Sequence, residues 1–355
     1  MAPADVPGMT DGSFDLYYFT DEEEAEWINY KNEDGSINQN FGPLTPGKGY
    51  LYAHETDVIL TFDGPYEGNG EVTLSLNANN TGSWKGWNLV GNPYTETAYI
   101  DRDFYVLNGD GSEIVPSDNR SYEVAPMQGI FVVAAHDGET MTFSTDAGTT
   151  DPEGKIVLNV RKDRNMVIDR AMIRFGEGRQ LPKFMLNPDN TKLYIAQNGE
   201  DYAVVRSIDE NITPVSFSAA ENGTYTISVN AEEIEMEYLH LVDNMTGADI
   251  DLLATPSYTF DARTTDYTSR FNLVFATTNG VNENSESHFA FYNGSEWVIN
   301  NMGNATLQVV DVTGRVLSSE SINGNAHISL QQVPGVYMMR LVNGDNVKVQ
   351  KVVVR

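Results

Sequence analysis

Short runs in which apolar and polar residues alternate recur along the whole chain. Residues 225–230 (Tyr-Thr-Ile-Ser-Val-Asn) and residues 305–310 (Ala-Thr-Leu-Gln-Val-Val) are examples. An alternation of period two places the apolar side chains on one face of a β-strand. Gly, Pro, Asn and Asp separate the runs, and these residues favour turns. The pattern therefore predicts an all-β protein made of antiparallel strands.

The first part of the chain contains an internal repeat. Residues 15–19 (Asp-Leu-Tyr-Tyr-Phe) align with residues 103–107 (Asp-Phe-Tyr-Val-Leu), and the strand that follows Pro46 aligns with the one that follows Pro126. The repeat predicts two copies of one antiparallel unit, spanning about residues 13–80 and 101–160. We expect the copies to pack together, because each would otherwise leave an apolar face exposed.

Turn-rich and polar stretches divide the chain further. Residues 154–277 contain six strand-like runs separated by turns, which predicts a β-sandwich or jelly roll. Residues 278–287 are polar and have no periodicity, as is typical of a linker. The predicted organisation is a duplicated β domain (1–153), a β-sandwich (154–277), the linker, and an immunoglobulin-like β-sandwich (288–355).

The last domain carries several motifs in a fixed order. A Gly-centred turn runs from residue 311 to residue 315, a Pro-Gly pair opens a later strand, and the chain ends in Lys-Val-Val-Val-Arg. The residues that define these motifs are Asp311, Gly314, Arg315, Pro334, Gly335, Tyr337 and Lys351.

These motifs resemble the C-terminal sorting domain (type A) of proteins exported by the type IX secretion system of Bacteroidota. The resemblance covers about residues 289–355. It implies that outer-membrane secretion machinery recognises this domain, and that the protein is extracellular or lies on the outer cell surface. The alternative is an ordinary immunoglobulin-like module without an addressing role.

The start of the chain has neither a basic segment nor an apolar segment of signal-peptide length. A sorting domain of this type normally accompanies an export signal at the other end of the protein. We therefore expect the chain to be the C-terminal fragment of a longer protein.

The formal net charge is −29, and residues 1–153 hold 27 acidic but only 5 basic residues. Such a surface repels phosphate groups, so we expect no nucleic-acid binding and no direct membrane insertion. The chain contains no cysteine, which excludes disulfides and cysteine-ligated zinc. No cofactor or metal is predicted.

Between the two repeats lies an aromatic segment with Trp84, Trp87 and Tyr94. This segment resembles one that recurs in β-rich regions of large secreted proteins of Bacteroidota. Its rings, together with Trp27, are candidates for a sugar-stacking platform. The alternative is that they pack between the repeats, since a buried aromatic ring covers ~150–250 Å².

Other candidate sites are weak. His54 and His136 fall at matching points of the repeats, which a duplicated loop explains without any function. Residues 108–113 are rich in oxygen ligands but lack the frame of an EF-hand calcium loop. No nucleophile elbow, phosphate-binding glycine loop or dinucleotide fingerprint occurs in the sequence.

The predicted function is that of a non-catalytic surface protein whose β modules have a structural or adhesive role. The alternative is a carbohydrate-binding or carbohydrate-active protein that uses the aromatic platform, and a glycan or a host surface is the expected kind of ligand. A hydrolase is a third, weaker interpretation.

Overall fold

Strands account for nearly all the regular structure of the protein. The computed structural model describes residues 1–9, 12–20, 26–63, 68, 70–78, 84–108, 111–117, 123–147, 153–162, 166–176, 178–207, 212–277, 289–292, 296–299, 301, 303–311, 314–329, 335–344 and 346–354. These ranges contain β-strands and one short 3-10 helix (Pro3–Asp5) but no α-helix. The all-β fold class is confirmed. No helix in the described ranges has the length and apolar character that crossing a bilayer requires.

Contacts divide the chain into two compact units. The first unit comprises Met1–Glu153, Arg164–Pro188 and Glu200–Arg206, and the second comprises Gly154–Asp163, Asp189–Gly199 and Ser207–Arg355. Two short segments that the sequence assigns to the central sandwich thus cluster with the first unit. The domain boundaries themselves stay a prediction, and the linker at 278–287 lies outside the described residues.

The first unit contains strands from each of its three segments. They are β1 (Phe14–Phe19), β2 (Trp27–Asn29), β3 (Leu51–His54), β4 (Glu71–Ser75), β5 (Trp87–Gly91), β6 (Ala98–Tyr99), β7 (Tyr105–Leu107), β8 (Ile114–Pro116), β9 (Glu123–Val124), β10 (Gly129–Val133), β11 (Thr140–Ser144), β13 (Asp169–Phe175), β14 (Leu181–Pro182) and β16 (Glu200–Ser207). Three antiparallel sheets have the orders β2-β1-β3, β5-β10-β7-β8 and β4-β11-β6-β9. The last two sheets share one apolar core, which contains Ile130, Val132 and Phe143.

The two predicted repeats pair their strands in the same register. In the first copy β1 pairs with β3, and Tyr17 lies opposite Leu51. In the second copy β7 pairs with β10, and Tyr105 lies opposite Phe131. These are the residues that the sequence alignment makes equivalent. The shared register is consistent with a repeat, which stays a prediction.

The second unit contains the remaining strands. They are β12 (Lys155–Lys162), β15 (Lys192–Gln197), β17 (Ile212–Ser218), β18 (Gly223–Glu232), β19 (Met236–Asp243), β20 (Ala248–Asp251), β21 (Ser257–Ala262), β22 (Phe271–Thr277), β23 (Ala290–Tyr292), β24 (Trp297–Ile299), β25 (Asn304–Asp311), β26 (Val316–Asn323), β27 (Ala326–Ile328), β28 (Gly335–Asn343) and β29 (Asn346–Val354). Strands β12–β22 of this unit form the runs β12-β18-β21 and β15-β17-β22-β19-β20. The last seven strands form two further sheets, β23-β24-β27 and β26-β25-β28-β29.

Candidate functional site

The last seven strands form a sandwich with its own apolar core. The three-stranded sheet contributes Trp297, Ile299 and Ile328 to this core, and the four-stranded sheet contributes Leu307 and Met339 among others. Alternate residues along β28 (Tyr337, Met339, Leu341) are buried, as period-two alternation requires. We call this sandwich the tail (residues 289–355).

The first motif of the tail closes the turn between β25 and β26. The Asp311 carboxylate accepts a hydrogen bond from the Arg315 backbone N–H at 3.0 Å and one from its Nε–H at 3.1 Å. Backbone bonds join Asp311 and Arg315, and the Gly314 N–H donates to the Asp311 carbonyl. Gly314 has φ +88°, a conformation that suits glycine. Asp311 and Gly314 therefore shape the turn, whereas the Arg315 side chain is 74% exposed.

The second motif opens β28. Gly335 is the first residue of this strand and Pro334 lies outside the described residues. Tyr337 is buried in the tail core and lies between Asp311 of β25 and Val352 of β29. Lys351 pairs with Met338 in the last strand. The described motif residues thus belong to three adjacent strands and the turn between β25 and β26.

A further residue of the tail was missed by the sequence analysis. Gln350 is buried, and its Oε1 accepts hydrogen bonds from the backbone N–H groups of Phe289 and Ala290, both at 2.8 Å. Its Nε2 donates to the Ala290 carbonyl at 2.6 Å. Gln350 therefore fastens the first strand of the tail to the last. The sequence offered one signal, since Gln350 alternates with Val352 and therefore places a polar residue at an inward position of β29.

The predicted aromatic platform is largely inside the first unit. Trp87 is 5% exposed and Tyr94 is 1% exposed, so neither ring offers a free face to a sugar. Trp87 packs against Tyr105 and Phe184, with its ring centre 4.6 Å from that of Phe184. Trp84 is only partly buried, and its Nε1–H donates to the Glu26 carboxylate at 2.7 Å. This arrangement agrees with the packing alternative for Trp87 and Tyr94.

The weaker candidates make only local contacts. His54 bonds to Thr56, and the Asn108 side chain bonds to Ser112 and to the Glu113 N–H. His136 lies near the carbonyl of its neighbour Asp137. In the described part of the chain no cluster of three His, Asp or Glu side chains is placed to hold a metal ion.

Buried ion pairs in the first unit are a feature that the sequence analysis did not predict. Arg102 donates to Glu139 at 2.7 Å, and Arg174 lies 2.8 Å from Asp103. The Lys183 ammonium bonds to both oxygens of Asp169 at 2.6 Å. Arg174 and Lys183 come from the segment 164–188, which supplies cations to an otherwise acidic unit. We call these three pairs the ion-pair set.

Two carboxylates, Glu139 of this set and the neighbouring Glu153, have pKa values shifted in opposite directions. Burial alone would raise the pKa of Glu139, but hydrogen bonds from the Ala135 N–H, Arg102 and Arg179 outweigh it and hold the pKa below its ordinary value. Burial raises the pKa of Glu153, although Arg206 and Arg174 oppose this effect. Both carboxylates contact arginines, so the direction of each shift depends on how completely hydrogen bonds replace water.

Comparison with known families identifies the tail. Residues 293–355 match the family described as "Secretion system C-terminal sorting domain". The tail is a type IX sorting domain. The resemblance seen in the sequence is thereby confirmed, and the sorting domain marks the protein for export to the extracellular space or the cell surface. Comparison of the chain with curated proteins and with solved structures gives no match.

Proposed function

We propose that the β modules preceding the sorting domain have a structural or adhesive role at the cell surface rather than a catalytic one. The observation that supports this proposal is that buried charged side chains of the first unit form ion pairs with one another inside the module. The carboxylates of Asp103, Glu139 and Asp169 are each held by a buried or nearly buried cation. A carboxylate fixed in this way has its charge compensated and contributes to the shape of the module.

The aromatic side chains of the first unit support the same proposal. Phe184 packs against Trp84, Trp87, Tyr105 and Phe131 in one continuous cluster. Each such ring pair contributes about 0.5–1.5 kcal/mol beyond the burial of its surface. A module with this interior is suited to holding its outer surface in a fixed shape for display.

An attachment assay with the whole protein tests the proposal. Cells that export the full chain are compared with cells that lack it, on surfaces coated with host matrix proteins and glycans. We expect attachment to fall when the chain is absent, while the purified chain cleaves none of a panel of polysaccharides, peptides and esters. Turnover of any substrate by the purified chain would overturn the proposal.

A carbohydrate-binding role is the second candidate, and the observation that favours it is the partly exposed Trp84. Trp84 lies beside the Glu26 carboxylate, so a sugar would meet an apolar ring face and a hydrogen-bond acceptor together. A glycan array with the full chain and with Trp84→Ala separates the two functions. Loss of a specific glycan signal in the variant favours binding, and the absence of a signal from both proteins favours the structural role.

A further inference from the structure

Strand β24 of the tail is buried on both of its faces. Its three residues Trp297, Val298 and Ile299 are 6%, 3% and 0% exposed. Successive side chains of a strand point to opposite faces. Trp297 and Ile299 belong to the tail core, whereas Val298 belongs to a separate cluster with residues of the central strands. A second surface must therefore cover the Val298 face of the tail.

That second surface is one face of the sheet β22-β19-β20. Tyr238 and Val242 of β19 and Val274 and Ala276 of β22 are buried together with Val298. The intervening residues, such as Leu239, are buried on the opposite face of the same sheet. We call the five residues Tyr238, His240, Val242, Val274 and Ala276 the outer face. His240 belongs to it because it lies opposite Val274 and alternates with its neighbours.

A polar contact lies beside this apolar contact. His327 is directly opposite Val298 in the tail sheet, so both side chains point toward the outer face. The His327 Nε2 lies 4.0 Å from Asp249, whose other oxygen is 2.7 Å from the Nδ1 of His240. Asp249 is opposite Val242, which places it on the same side of the sheet.

The rest of the outer face fits a buried contact. The rings of Tyr238 and His240 are stacked, with centres 4.0 Å apart and planes inclined by 1°. Burial raises the pKa of Tyr238 above its ordinary value, and the Asp249 and Asp251 carboxylates add to the effect. Charge also favours this occupant, because residues 288–355 hold 5 basic and 4 acidic residues on an otherwise acidic chain.

We propose that the outer face is a docking surface for the sorting domain of the same chain, and that this contact holds the domain even without the covalent link through residues 278–287. The contact joins Val298 to an apolar face and His327 to Asp249. The sorting domain is then presented in a fixed orientation, and a cut in the linker leaves it bound until the contact itself dissociates.

Cleavage of the full chain tests the proposal. A recognition site for a specific protease is inserted between residues 278 and 287, and the cut protein is passed through a size-exclusion column at micromolar concentration. We expect the two fragments to elute together with one copy of each. Separate elution of the wild-type fragments would overturn the proposal, as would a complex with two copies of each.

Substitutions in the tail and on the outer face test which residues form the contact. Val298→Asp buries a carboxylate against the outer face and should weaken retention by about 100-fold. Val336→Asp is the matched control, since Val336 belongs to the same sandwich but is 38% exposed, and the fragments should still elute together. Ala276→Glu places the charge on the outer face and leaves the tail sequence intact, so its effect does not depend on tail folding. If Ala276→Glu retained the tail as wild type does, the outer face would not be the docking surface.

Discussion

The first unit and the tail are both built from antiparallel strands, but their interiors differ in kind. The first unit buries the ion-pair set, in which oppositely charged side chains compensate each other's charge. Among the described residues of the tail, the buried side chains are apolar except for Gln350. The tail is therefore held mainly by alternating apolar residues, and the first unit additionally depends on specific partners of opposite charge.

This difference predicts which substitution lowers the free energy of unfolding most. Lys183→Met retains the length of the side chain but leaves the Asp169 carboxylate buried without its cation. We expect a loss of about 3–5 kcal/mol in the free energy of unfolding. Urea unfolding followed by tryptophan fluorescence measures it, because Trp84 and Trp87 pack beside Phe184.

The double variant Lys183→Met/Asp169→Leu is the control for the first prediction. Replacing both members of a buried ion pair with apolar residues is often close to neutral, so most of the lost stability should return. If the single variant lost less than about 1 kcal/mol, the pair would behave like an exposed one, and the contrast with the tail would fail.

The tail has its own most sensitive polar residue. Gln350→Leu keeps the volume of the side chain but removes the acceptor for the Phe289 and Ala290 N–H groups. We expect a destabilisation of about 1–3 kcal/mol, together with faster hydrogen exchange at these two amides. Gln350→Glu keeps the acceptor but replaces the Nε2–H donor with an oxygen that faces the Ala290 carbonyl, so it should restore only part of the protection at neutral pH. Unchanged exchange in Gln350→Leu would show that the first strand is fastened by other contacts.

The predictability of each region from sequence follows from the same contrast. Alternation predicted strands such as β25 and β28, and the Asp311–Arg315 turn was evident because all its hydrogen bonds are local. Lys183 could not be matched to Asp169, since many lysines and carboxylates satisfy the same pattern. The sequence left open whether Trp87 forms a platform or packs inside, because Phe184, which packs against it, comes from a segment assigned to another domain.

Acid should distinguish the two interiors in a further way. The pKa of Glu139 is held below its ordinary value, so its ion pairs stabilise the folded state above about pH 4.3. This contribution is lost as the pH falls through the lowered folded-state pKa. Between about pH 5 and about pH 3 the stability of Glu139→Gln should fall less steeply than that of the wild type, by at most about 1.4 kcal/mol per pH unit.

Urea unfolding at several pH values measures these slopes, and Glu153→Gln serves as the comparison. Burial raises the pKa of Glu153, so its ionised form disfavours folding at neutral pH. Removing that charge should therefore change the slope in the opposite sense. Equal slopes for the wild type and Glu139→Gln would mean that the Glu139 pairs do not respond to acid.

The smallest effect on stability is expected at Arg315, which separates a folding role from a recognition role in the sorting domain. Its side chain is 74% exposed and bonds to Asp311 at the edge of the turn, and exposed pairs of this kind contribute about 0–1 kcal/mol. Arg315→Met should therefore leave the unfolding curve nearly unchanged, whereas Asp311→Ala also removes the acceptor for a backbone N–H of the turn.

Export of the two variants, measured in the native host, then separates recognition from folding. If secretion falls in Arg315→Met while the fold is intact, the guanidinium is a contact of the secretion machinery. If secretion falls only in Asp311→Ala, the motif acts through the shape of the turn, because Arg315→Met has then shown that the exposed guanidinium is dispensable.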